Sequence, residues 1–422
     1  MEPGTTDWRA VALVVAGGVT AAMHVGKAAI ALPALGSAAA PGGGLGADEA
    51  AWLLALPGLV GCASAVVIGT QVRRFDTRTV FVGALAGSAG AAAAGAWAGS
   101  PAWLLGARAL EAMCGIVVMV AAPVLLAAVV AAGDHLVVLG VWGAYMPLGQ
   151  TLVVLGGGGI VHAQGWPALW LVTALASLCT AVAAARLRVR GPAWAADGPV
   201  LATTGRSGVA SDGRARSLGA AESRGFALLG LVFLAYALQW VAITGYLPTL
   251  LTDLGVGLTV AGVLTAVVLL GNVAGNAVAG VLGRRGVPGS TLLVGALTAM
   301  LLAGSLVFAP GLPVAARVLA ALVFSTCGGV VPGTLFGLAA APGTAPGAVP
   351  VGRRHALLVQ GSQLGAALGP VLVAWTVAAG GGWHAAAGLM AVTGLGALAL
   401  CTVWSRSADA SLAATTRHFN HH

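Results

Sequence analysis

Four ionisable side chains stand inside long apolar runs of this 422-residue sequence, at spacings that put them on shared helical faces. His24 and Lys27 are three residues apart in the first run, and Arg108 and Glu111 are three apart in the fourth. On a helix that separation places both members on one side. A charge near the centre of a bilayer costs roughly 2.5 to 3.5 kcal/mol, so a residue kept there is a functional candidate. The chemistry open to this set is charge pairing, anion binding and proton exchange. Lys27, the one lysine beside nineteen arginines, is read as a substrate or coupling residue. Arg108 is read as a substrate contact, or as a clamp on helix ends and neighbouring carbonyls. Glu111 is the candidate proton-coupling carboxylate, with neutralisation of Arg108 as its plainer role. His24 is a second candidate for either task. Arg317, shortly after Pro313, can instead snorkel to the interface.

Other chemistries lack their residues. Cys62, Cys114, Cys179, Cys327 and Cys401 fall singly in separate runs, with no CxxC pair and no His or Asp at metal-ligand spacing. No nucleophile, base and orienter set and no HExxH is found, so the sequence predicts neither an enzyme nor a metal or cofactor. The glycines from Gly156 to Gly159 lack the strand and helix setting of a phosphate loop and suit close helix packing.

The elements that hold these residues are membrane helices. Hydrophobic residues make up 59% of the chain and charged residues 8%, with a mean hydropathy of +0.96. A soluble chain carries roughly 25% charged residues, so a water-soluble fold is excluded. A spanning helix needs about 20 mostly apolar residues. Such runs are expected near 8–35, 50–72, 80–97, 102–130, 136–161 and 167–185, then near 226–251, 258–282, 291–308, 314–338, 356–378 and 383–404. The opening MEPGTTDW lacks the basic region of a cleaved signal, so the first run is expected to be a retained helix.

Basic residues test the topology. Seventeen of the twenty lie on one side of a twelve-helix arrangement, and the other three, Lys27, Arg108 and Arg317, lie inside helices. Cytoplasmic loops collect Lys and Arg. Both termini and the central linker are therefore expected in the cytoplasm, in a multi-pass protein of a bacterial-type cytoplasmic (inner) membrane. The formal charge of +8 forms no basic face interleaved with aromatics, which argues against nucleic acid as a partner. The predicted division is residues 1–186 as an N-terminal six-helix bundle, 187–225 as a flexible cytoplasmic linker, 226–405 as a C-terminal six-helix bundle and 406–422 as a cytoplasmic tail.

The halves repeat one another. Four anchors recur in order: His24 to Pro33 against Gln239 to Pro248, Gly69 with Arg73-Arg74 against Gly280 with Arg284-Arg285, Arg108 with Pro123 against Arg317 with Pro332, and Gly165-Trp166 against Gly382-Trp383. Internal symmetry of this kind marks transporter folds. The charges do not repeat. Gln239 stands at the place of His24, Ala242 at that of Lys27, Tyr246 at that of Ala31 and Ala320 at that of Glu111.

On these residues the whole chain resembles the major facilitator superfamily, which implies an all-α fold of twelve transmembrane helices in two pseudo-symmetric six-helix bundles. The family's GxxxDRxGRR turn is matched by Gly69, Arg73, Arg74, Asp76 and Arg78, with Arg73 in place of the usual Asp and Asp76 as the nearby carboxylate. The resemblance implies that these residues, with Arg284 and Arg285, take part in conformational gating. Arg108-Ala-Leu-Glu111 through Gly115 is similar to the family's RxxQG segment in the Glu form of the anion:cation symporter branch. Leu56-Pro57, Arg73-Arg74-Phe75, Tyr246-Leu247-Pro248 and Gly361-Ser-Gln363 resemble the cyanate permease and nitroimidazole transporter group. The resemblance also implies that the first and fourth helices line a central cavity. Lining residues there would be Lys27, Arg108, His24, Gln239, Tyr246, Asn272, Asn276, Trp142, Tyr145 and Gln363.

The expected function is secondary active transport of a small organic anion by alternating access, coupled to protons. The partners are then that solute, protons and the lipid bilayer, with the chain taken as a monomer. A proton-driven efflux pump for drug-like or siderophore-like compounds is the alternative, and a membrane sensor on a transporter scaffold is the second. Exporters often carry an acidic residue in the first helix and a GPxxGG-like run in the fifth, where this chain has Lys27 and Met146-Pro147-Leu148-Gly149.

Overall fold

The computed structural model describes residues 5–37, 44–72, 75–131, 134, 138, 142–187, 213–341 and 349–419. Its long helices are α1 (Trp8–Leu35), α2 (Ala47–Val72), α3 (Thr77–Ala96), α4 (Pro101–Val129), α5 (Tyr145–Gln164), α6 (Trp166–Ala184), α7 (Gly213–Asp253), α8 (Leu258–Arg284), α9 (Gly289–Phe308), α10 (Val314–Ala340), α11 (Val351–Thr376) and α12 (Gly382–Phe419). Nine stretches among the described residues are long and apolar enough to cross a bilayer, one of them covering both α11 and α12. The chain is a multi-pass, all-α membrane protein.

Helix ends follow local chemistry. Asp7 caps α1 by accepting from the amides of Arg9 and Ala10, and Ser100 caps α4 ahead of Pro101 in the first turn. Between α11 and α12 the chain reverses through one wide turn, Val377–Gly381, where Gly380 has φ +92° and Gly382 φ +54°. Both values are strained for any residue with a Cβ.

Two boundaries differ from those expected. Residues 213–225, assigned to the flexible linker, belong to the first turns of α7. Their Arg, Ala, Leu and Glu are good helix formers with no proline among them. Likewise α12 continues to Phe419 through the stretch assigned to a tail. The fifth helix is described from Tyr145, and most of the stretch expected to open it, like the linker residues 188–212, lies outside the described residues.

The duplication read from the anchors is present in the packing. In the first half α1 packs on α4, α5 and α6, α3 on α4 and α6, and α2 on α4. In the second half α7 packs on α10, α11 and α12, α9 on α10 and α12, and α8 on α10. Each contact recurs six helices later. The halves meet through α2 with α11, α5 with α8 and α1 with α7.

Small residues make these approaches possible. Along the α7/α11 seam Gly361, Gly365 and Gly369 lie against the backbone of Gly230, Leu234 and Leu238, so a Cβ at any of the three would overlap main-chain atoms. Lipid tails are as apolar as the helices, so close van der Waals packing of this kind drives association.

The close approaches between halves gather away from the end that carries the chain termini. Gly158 in α5 lies against Leu258 and Thr259 at the start of α8, Gly262 in α8 against Val154 and Ile30, and Gly245 in α7 against Leu54 in α2. Gly58 and Gly61 in α2 meet Ala367 and Gln363 of α11. Among the described residues, these approaches join the halves toward the end opposite the termini.

Candidate functional site

The first and fourth helices bring the predicted charges together. Lys27 Nζ lies 2.7 Å from Glu111 Oε1, and Arg108 Nη1 lies 3.1 Å from Glu111 Oε2. The carboxylate thus gives one oxygen to each cation. Lys27 also donates to His24 Nδ1 at 3.1 Å and to Thr173 Oγ1 at 3.3 Å, which uses all three ammonium protons. Exposure is 0% for Lys27, 1% for Arg108 and Glu111 and 3% for His24, so water does not screen the pairs.

Arg108 has a second set of partners. Its Nε donates to Leu53 O of α2 at 3.3 Å, its Nη2 to Val25 O at 3.3 Å, and its Nη1 also to His24 O. Four of its five N–H groups are therefore bonded, three of those bonds reaching carbonyls. Arg108 thus pairs Glu111 and also clamps α1 and α2 through their carbonyls. Arg317 has only the clamp, donating to Leu312 O at 3.1 Å and Val307 O at 2.8 Å where α9 turns into α10.

A third helix completes the cluster, and the sequence reading did not include it. On α6, Trp170, Thr173, Ser177 and Thr180 follow spacings of three, four and three. They face Lys27, His24 and Thr20 of the antiparallel α1. Lys27 Nζ lies 4.6 Å from the Trp170 ring centroid, Ser177 Oγ is 2.7 Å from His24 Nε2, and Thr180 Oγ1 is 3.2 Å from Thr20 Oγ1. A polar stripe at helical spacing in an apolar run was the available signal.

The remaining candidates fall elsewhere. Asn272 Nδ2 donates to Tyr236 Oη at 3.1 Å and to Ser325 O at 3.3 Å, and Asn276 donates back to Asn272, so this group ties α7, α8 and α10. Tyr246 donates to Pro370 O at 3.1 Å and packs its ring edge on Trp383. Gln239 is buried, with Oε1 unpartnered among the described residues. Trp142 and Tyr145 stack at 4.2 Å where α5 begins, and half-buried Gln363 sits in the α2/α11 seam. Among the described residues, no hydrogen bond joins these C-terminal candidates to the N-terminal cluster.

Of the residues expected to gate, Gly69 lies in the last turn of α2, and Arg73 and Arg74 lie outside the described residues. Asp76 caps α3, accepting from Thr79 N at 2.9 Å and Thr79 Oγ1 at 2.6 Å. Those bonds hold its carboxyl below the usual carboxylate range. Arg78 donates to Ala185 O, tying α3 to the end of α6. Arg284 and Arg285 are exposed where α8 ends.

Two duplicated helical bundles joined by α2/α11 and α5/α8, with an ion-paired cluster inside one of them, define a membrane transporter rather than an enzyme. The Major Facilitator Superfamily profile matches residues 14–349, and the chain belongs to that family. No curated protein matches its sequence. Among solved structures it is similar to a bacterial homolog of the human lysosomal transporter Spinster, described as inward-facing and unoccupied, at 17% identity and TM-score 0.68 over 98% of this chain and 95% of that one. The inward-facing, occupied form of such a homolog gives 14% identity and TM-score 0.71 over 95% and 97%. At these identities the likeness concerns the fold.

Proposed function

We propose that the chain is a proton-coupled secondary transporter of a small organic anion in the cytoplasmic membrane, with Glu111 as the protonation site. The observation that carries this reading is the division of one buried carboxylate between Lys27 and Arg108. With Glu111 ionised and His24 neutral, the cluster holds one net positive charge. Protonation of Glu111 removes the only carboxylate among the pairs and leaves two cations in a medium where an unpaired charge is strongly destabilising. An arriving anion offsets that excess. Proton and solute are then linked through a shared pair of cations.

With the termini in the cytoplasm, the described close approaches toward the opposite end support an inward-facing reading.

The test is transport in proteoliposomes, after a thermal-shift screen of small carboxylates and amphipathic compounds has supplied a solute. Glu111→Gln should abolish accumulation driven by a proton gradient and keep counterflow exchange. Unchanged accumulation, or full loss of exchange, removes Glu111 from this role.

A second reading is favoured by one specific observation. All three Lys27 protons and four of the five Arg108 N–H groups are already bonded within the bundle. That supports export of a neutral or amphipathic drug-like or siderophore-like solute past a cluster that serves coupling alone. Drug sensitivity of a deletion strain, set against growth on anionic carbon or nitrogen sources, separates the two.

A further inference from the structure

The seam between α1 and α6 contains hydroxyl groups that the ion pairs do not require. Lys27 Nζ is a donor only, so His24 Nδ1 accepts from it and the ring proton sits on Nε2, which donates to Ser177 Oγ at 2.7 Å. The same Nδ1 lies 3.8 Å from Glu111 Oε2. His24 therefore turns one nitrogen to the carboxylate and the other to a hydroxyl. One helical turn further toward the termini, the Thr180 and Thr20 oxygens lie 3.2 Å apart. Each hydroxyl is also within donating distance of a carbonyl of its own helix, Ala176 O at 2.8 Å and Ala16 O at 2.7 Å, so one of them must turn from its carbonyl to pass a proton to the other. Thr180 is half-buried there, whereas His24 and Ser177 are buried.

The other sides of the cluster are closed. The Trp170 ring covers Lys27 on the side away from the termini. Carbonyls of Leu53, His24 and Val25 enclose Arg108. The titratable and charged groups facing Glu111 are His24 and Lys27 from α1 and Arg108 and Cys114 from its own helix. From α6 come Thr173 and Ser177, through Lys27 and His24, and from α2 only the Leu53 carbonyl, through Arg108.

We infer that Ser177, with Thr180 and Thr20 beyond it, relays protons through His24 between Glu111 and the terminal end of the N-terminal bundle, apart from the seam between the halves. The inference rests on Glu111 being the protonation site. In release, the Lys27 hydrogen bond to His24 Nδ1 breaks while Lys27 keeps its bonds to Glu111 and Thr173. The ring closes the 3.8 Å to Glu111 Oε2, and the Glu111 O–H bond breaks as Nδ1 takes the proton. The Nε2–H bond then breaks toward Ser177 Oγ, whose own hydroxyl proton passes on toward Thr180 and water. One proton has moved from carboxylic acid to water, Glu111 is ionised, and His24 is neutral with its proton on Nδ1. Exchange between the two ring tautomers resets the path, and loading is the reverse. Ser177 is a proton carrier in this scheme, and the threonines lie on its path to water.

The relay can be measured with protons alone. Purified protein in nanodiscs is subjected to a pH jump, and the carboxylic C=O infrared band of Glu111, assigned by its loss in Glu111→Gln, is followed in time. Ser177→Ala should reach the wild-type amplitude at a rate lower by about tenfold or more, within the range a positioned proton carrier contributes. Ser177→Thr should restore the rate. Wild-type kinetics in Ser177→Ala overturn the relay. If that variant does not fold, Thr20→Val with Thr180→Val, which leaves the His24 contact intact, should show the same slowing, and its absence is equally decisive. A wild-type protein with no Glu111 band at any pH removes the protonation site and the relay together. A band with unaltered kinetics removes the relay alone.

Discussion

Lys27 Nζ and Glu111 Oε1 lie 2.7 Å apart with neither side chain exposed, although the residues are 84 positions apart in the chain and stand on α1 and α4. Glu111 is also shared with Arg108, so deleting the carboxylate leaves two buried cations without it, whereas deleting Lys27 leaves Arg108 to pair it. An uncompensated buried charge costs about 3 to 5 kcal/mol. Glu111→Ala should therefore lower the unfolding temperature in detergent sharply and more than Lys27→Ala, and Lys27→Ala with Glu111→Ala should be less destabilised than the sum of the single variants. Additive losses would show that the pair contributes no coupling energy.

Gly365→Val should disrupt the protein through the α7/α11 seam. A Cβ there overlaps the Leu234 carbonyl, which cannot yield as a flexible side chain can. Overpacking costs about 1 to 3 kcal/mol even where side chains can move aside. Size-exclusion profiles and thermal unfolding should show a loss of folded monodisperse protein, while Gly83→Ala, with open space around it, should leave both unchanged.

Closure at the end opposite the termini predicts a cross-link. Leu54 of α2 packs on Gly245 of α7, so Leu54→Cys with Gly245→Cys replaces a bulky side chain by two thiols facing one another. Oxidation should join them in the absence of any solute, visible as a band shift between α2 and α7 after proteolysis in the linker. It should also arrest transport until reductant is added. Failure to cross-link in the solute-free protein would mean that another state predominates.

Asp76 should make acid stability depend on the α3 cap. Its carboxyl is held below the ordinary value by the Thr79 hydroxyl and amide, so the unfolded state binds the proton more readily. The stabilisation is present above the unfolded value, near pH 4, and is lost as pH falls through the lower folded value. Asp76→Ala should cost about 1 kcal/mol at neutral pH, as loss of a helix cap does. Thermal unfolding curves of the two proteins should converge in acid.

Much of this architecture was legible in the chain. Apolar runs of membrane-spanning length, Pro33 against Pro248, Arg108 with Pro123 against Arg317 with Pro332, and Gly165-Trp166 against Gly382-Trp383 specified the helices and their duplication, because the bilayer imposes length and apolarity on every span. Spacings of three likewise put His24 beside Lys27 and Arg108 beside Glu111. These are short-range constraints that a linear string carries.

Tertiary packing decided the rest. It set α6 against α1, so that Thr173 and Ser177 complete a cluster that looked like the property of two helices. It also bonded Lys27 and Arg108 so fully within the N-terminal bundle that neither stands as a free cation, and it placed Asn272 and Tyr236 in a separate group. The physical reason is that a buried charge is defined by everything around it, and those neighbours arrive from helices more than 80 residues away. Which polar groups meet depends on how the helices rotate and cross, and close contacts such as Gly149 against Val19 and Gly26 against Gln150 fix that rotation.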